Sequence, residues 1–114
     1  MSIFKINAAV MELIDVYSLF HHEVGGILFG EENTDYIDVK SLSFKHGEKY
    51  KIDFTNEDRK LFSGPEGMSI LGTWHTHPFQ SEPFASNIDI TQWKKWNKKY
   101  YHMVVGEKKL KFIK

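Results

Sequence analysis

The chain has 114 residues, 41% of them hydrophobic and 26% charged, the size and balance of one globular domain with a single core. Fifteen basic residues balance fifteen acidic ones, so no global field recruits nucleic acid or an anionic membrane. The absence of cysteine excludes disulfide staples, thiol nucleophiles and zinc sites built on thiolates. Met1 to Asn7 carries a single Lys, and Glu12 and Asp15 interrupt the apolar stretch that follows, so no secretory signal is expected. No run approaches the roughly 20 apolar residues of a membrane span. These features set the expectation of one soluble, cytoplasmic domain over residues 1–114, with neither nucleic acid nor membrane as a partner.

In chain order, residues 3–6 read as a short strand. Over residues 8–20, Val10, Leu13, Ile14 and Tyr17 recur at helical spacing and predict an amphipathic helix. Val24 to Gly30 is apolar and punctuated by glycines, which suits a strand buried on both faces. Residues 35–44 and 49–54 alternate as strands, with a turn expected at His46-Gly47. A Thr55-Asn56 pair caps a short helix to Phe62, which Ser63-Gly64-Pro65 stops. Met68 to His77 reads as a strand ended by Pro78, and Ser86 to about Lys99 as a helix turning Ile90 and Trp93 inward. Tyr101–Gly106 and Lys109–Ile113 close the chain as two short strands. Interleaved strands and helices predict an α/β domain with a central mixed sheet flanked by helices.

The chemistry concentrates in Trp74-His75-Thr76-His77-Pro78, continued by Ser86-Asn87-Ile88-Asp89. Side chains two apart on a strand project from one face, so His75 and His77 converge while Trp74 and Thr76 point the other way. A catalytic zinc takes three protein ligands and keeps a position open, and Asp89, one turn into the last helix, is a candidate for the third. Taken singly, each piece has a structural explanation. An H-x-H pair also occurs on ordinary strands, and Ser86 with Asp89 three residues on resembles a capping box. Glu23 alone reads as a solvated residue at a helix–strand junction. His21 and His22 are placed at a helix end, His46 in a turn and His102 in a late strand, none with a case for chemistry.

Together, these pieces resemble the signature of the JAMM (MPN+) zinc metallopeptidase family: H-[ST]-H-P, a short loop, then S-x-x-D. The family's upstream glutamate lies in an E-x-x-G-x-x-x-G context, which Glu23-Val24-Gly25-Gly26-Ile27-Leu28-Phe29-Gly30 matches. The loop Pro78 to Ala85 is one residue longer than the family's usual one. The resemblance implies a single JAMM/MPN domain of cytidine-deaminase-like architecture. It implies one zinc ion held by His75, His77 and Asp89, with water activated there as the nucleophile. It further implies that Glu23 is the general base, passing the proton to the leaving amine, and that Ser86 donates a hydrogen bond to the developing oxyanion. A nucleoside deaminase of related architecture is excluded, because its P-C-x-x-C ligand pair has no counterpart here.

Members of this family hydrolyse the bond after the C-terminal glycine of ubiquitin or of a ubiquitin-like protein, and some prokaryotic members process sulfur-carrier proteins. The expected substrate is therefore an extended C-terminal tail, paired along a sheet edge. Only 25 residues follow Asp89, too few for the ubiquitin-gripping insertions of eukaryotic deubiquitinases, so the likeness is to the compact prokaryotic type. Two alternatives stand beside this reading: a peptidase releasing an amino acid from a sulfur-carrier protein, and a metal-free MPN-type scaffold or binding module.

Overall fold

The computed structural model describes residues 3–47, 60–77, 100–106 and 110–113. Its elements are β1 (Ile3–Ile6), α1 (Ala8–Tyr17), β2 (Val24–Glu32), β3 (Tyr36–Leu42), β4 (Lys45–His46), β5 (Ser69–Thr76), β6 (Tyr101–Val105) and β7 (Leu110–Ile113). The expected helices at 56–62 and 86–99 and the strand at 49–54 lie wholly or mostly outside the described residues; of them only a single helical turn at 60–62 is described.

Among the described residues the strands form one mixed sheet in the order β1-β3-β2-β5-β6-β7, with β4 also paired to β2. β1 runs parallel to β3 and β5 parallel to β6; the other neighbours are antiparallel. β2 and β5 are the inner strands, and the candidate chemistry sits at one end of that pair. As its glycine-bounded apolar run predicts, β2 is buried from Val24 through Gly30.

Helix α1 begins where Asn7 can cap it: the Asn7 Oδ1 accepts the Ala9 N–H at 2.8 Å, relieving one of the unpaired donors of the first turn. The helix packs Val10 and Ile14, four residues apart, onto one face of the sheet. Each such buried side chain contributes about 1.5–3 kcal/mol. Leu13, expected on the same face, is 41% exposed; it falls roughly a quarter of a turn away from the Val10–Ile14 line. The core that α1 covers takes Val24 and Leu28 from β2, Ile37 and Val39 from β3, Trp74 from β5, and Tyr101, Met103 and Val105 from β6. No helix among the described residues is long and apolar enough to cross a membrane.

The turn expected at His46-Gly47 is corrected. Instead, β3 runs to Leu42, breaks at Ser43-Phe44, and resumes against β2 as β4, with Val24 opposite His46 and Gly25 opposite Lys45. Ser43 holds the break in place. Its Oγ accepts the Ile27 N–H at 3.0 Å, and its N–H donates to the Ile27 carbonyl at 2.9 Å. The irregular backbone presses on β2 at Gly26, where a Cβ would fall against the Ser43 carbonyl. Glycine is therefore required there by close approach.

Candidate metal centre

The antiparallel register of β2 and β5 builds the site. Gly25 lies opposite His75 and Gly26 opposite Trp74. Extending that register by two residues puts Glu23, just before β2, across from His77, just after β5. Strand alternation then turns Glu23, His75 and His77 to one face and Trp74 and Thr76 to the other. The expectation for Trp74 holds: it is fully buried in the core, stacked near Tyr17 at 5.5 Å, and its Nε1–H donates to the Ser43 carbonyl at 2.9 Å.

Thr76 also turns away from the cluster, and it fastens the two strands. The ladder pairing of β2 with β5 ends at Gly25 and His75. One position further, the Thr76 hydroxyl takes over, accepting the Val24 N–H at 3.0 Å and facing the Val24 carbonyl at 3.4 Å. On the outer side, the His77 N–H donates to the Val105 carbonyl at 2.8 Å, extending the pairing of β5 with β6 past Thr76. The backbone on both sides of the cluster is thus hydrogen-bonded, which limits how far the side chains can drift.

The ligand atoms of Glu23, His75 and His77 all lie within 4.8 Å of one another. His75 is 3% and Glu23 8% exposed, and His77 is half-buried. The two imidazoles face each other through their Nε2 atoms at 2.6 Å. Gly25 makes room for this: a Cβ there would sit 3.0 Å from the His75 Cβ and closer still to the Trp74 carbonyl. Two neutral nitrogen donors and one carboxylate, converging on one point, suit zinc or another borderline divalent ion. A divalent cation held there would offset the charge of the buried Glu23 carboxylate.

Ser86 and Asp89, the other two expected site residues, lie outside the described residues. Sequence reasoning missed one neighbour of the cluster. His102 on β6 is 3% exposed, and its Nε2 lies 2.5 Å from the His75 Nδ1, while its Nδ1 meets the Thr73 Oγ1. Its signal was a polar residue within the apolar strand Tyr101–Val105, since a buried polar side chain of this kind needs a partner. His22 and His46 also form a pair, Nε2 to Nδ1 at 2.7 Å, stacked beside Phe20.

The profile of the prokaryotic homologs of the JAB domain matches residues 16–113, which takes in β2, β5 and the whole cluster. The chain belongs to this JAB family. Solved structures agree on the JAB fold. A JAB1/MPN domain protein from Archaeoglobus fulgidus superposes with a TM-score of 0.60 at 22% identity, covering 99% of this chain and 88% of that one. A protein from Desulfitobacterium hafniense gives a TM-score of 0.60 at 16% identity, covering 91% and 75%. A third, from Salinibacter ruber, gives 0.57 at 15% identity, covering 95% and 79%. No curated protein matches the chain. JAB domains include both JAMM metallopeptidases and inactive members.

Proposed function

We propose that this JAB domain is a zinc-dependent peptidase that hydrolyses the bond after the C-terminal glycine of a ubiquitin-like protein. The observation that carries the reading is the convergence of Glu23, His75 and His77, from the facing ends of β2 and β5, within 4.8 Å. An inactive JAB scaffold has no need to keep a buried carboxylate against two imidazoles.

In this reading His75 and His77 hold the ion through Nε2, and Asp89 completes the ligand set. The ion supplies Lewis-acid polarisation of the scissile carbonyl and of water. Glu23 takes the proton that water loses on attack and delivers it to the departing amine. Burial of Glu23 keeps bulk water from competing for that proton. Ser86 donates a hydrogen bond to the oxyanion. The substrate is an extended glycine-terminated tail of a ubiquitin-like or sulfur-carrier protein, and a tail of this kind needs little side-chain room beside the cluster.

The test is cleavage of a ubiquitin-like protein fused through its terminal Gly-Gly to a reporter peptide. Wild type is expected to release the reporter, and Glu23→Gln to retain zinc but lose at least about 100-fold in rate. Cleavage at full rate by Glu23→Gln would refute its role as base. Zinc binding with no cleavage of any glycine-terminated fusion would refute the substrate class.

A further inference from the structure

The buried row Thr73, His102, His75 leads directly into the candidate metal position. Thr73 and His75 share a face of β5, and the parallel register sets Thr73 opposite His102 on β6. All three are buried: Thr73 at 1%, His75 at 3% and His102 at 3% exposure. The His102 Nδ1 contacts the Thr73 Oγ1, and its Nε2 lies 2.5 Å from the His75 Nδ1. The Nε2 of His75 then faces that of His77. We infer that His102 and Thr73 are positioning residues that fix the tautomer and ring plane of His75, so that its Nε2 lone pair is presented to a divalent metal.

Hydrogen-bond polarity, at constant charge, decides which nitrogen of His75 is free. A neutral imidazole carries one N–H and one lone pair, and the nitrogen that binds metal must be the one without the proton. For His75 to ligate through Nε2, its Nδ1 must carry the proton, the tautomer less favoured in water. That N–H then donates to the His102 Nε2. His102 must in turn be protonated on Nδ1, and that N–H donates to the Thr73 hydroxyl oxygen. A hydroxyl accepts as well as donates, so Thr73 can end the row in the required direction. Reversing the row puts a proton on the His75 Nε2 and abolishes ligation. A metal-ligating histidine ordinarily has its second nitrogen hydrogen-bonded, and here a second histidine does so instead of a carboxylate or carbonyl. The inference rests on the metal site proposed above, but it makes a separate claim about the imidazoles that is measurable without metal.

Two measurements test it on the intact chain. Long-range nitrogen–proton NMR on histidine-labelled, metal-free wild type reads the tautomers directly. Both His75 and His102 are expected as Nδ1–H forms. In Thr73→Val, of nearly the same volume but with no acceptor, His75 is expected to lose that single tautomer. Competition with a chromophoric chelator reads zinc affinity. Thr73→Val is expected to weaken zinc binding by roughly 10–100-fold, and Thr73→Ser, which keeps the hydroxyl, to restore it to within about 3-fold. An Nε2–H His75 in wild type, or a Thr73→Val protein with unchanged tautomers and affinity, would overturn the inference. If wild type binds no zinc while both tautomers are as expected, the proposed function fails and the positioning row stands.

Discussion

Thr76 lies between the two histidines in sequence but serves the opposite face, and replacing it with Val isolates one interaction. Both Thr76 and Val24 are buried, at 2% and 0% exposure, and the Val24 N–H donates to the Thr76 Oγ1 at 3.0 Å. Valine has nearly the same volume, so no cavity opens; what is lost is the hydroxyl acceptor. Stranding a buried donor costs about 1–3 kcal/mol, more than the added methyl returns. Thr76→Ser keeps the hydroxyl and removes one methyl, at about 1 kcal/mol. In urea titration, with a slope of about 1–3 kcal/mol per molar, Thr76→Val should lower the midpoint by about 1 M without changing the slope. Thr76→Ser should fall between it and wild type. Because Val24 adjoins Glu23, the Val variant should also lose cleavage rate beyond its stability loss. A Val variant as stable as wild type, or a Ser variant less stable than Val, would refute the claim that this hydroxyl fastens β2 to β5.

Other outcomes follow from the same geometry. Gly25→Ala places a methyl against the His75 Cβ and the Trp74 carbonyl; it should cost about 1–3 kcal/mol by overpacking and weaken zinc binding, read by calorimetry. Trp74→Ala empties the centre of the core and strands the Ser43 carbonyl; it should destabilise by about 3–5 kcal/mol in chemical denaturation. Leu19→Lys, at a position 75% exposed, should change stability by less than about 0.5 kcal/mol, and a larger loss would mean that this surface is covered.

Much of the frame was legible because its signals are local. The helical spacing of Val10 and Ile14, the glycine-bounded run of β2 and the strand ending near Pro78 each need only a short window of sequence, and all appear as read. The pairing of His75 with His77 follows from strand alternation, whereas Glu23 was legible only through the resemblance to the family's E-x-x-G-x-x-x-G context, since alone it reads as solvated and the structure buries it. What was missed depends on strand pairing across long stretches of chain. The break at Ser43-Phe44 is set by how that backbone meets Gly26 and the Trp74 indole, so alternation alone read through it to a turn. Likewise, His102 acquires its role only when β6 lies beside β5 and brings it to His75. A lone histidine in an apolar strand announces that it has a partner without saying which. Leu13 shows the opposite failure: periodicity counts it as core, yet α1 buries a narrower stripe than the pattern allows.

Elemental analysis of the purified chain reads whether His75 and His77 hold a metal ion beside Glu23. About one zinc per chain is expected in wild type and in Glu23→Gln, falling to near zero when His75 and His77 are both replaced by Ala. Wild-type protein purified without chelator and supplied with zinc, yet holding none, would contradict it.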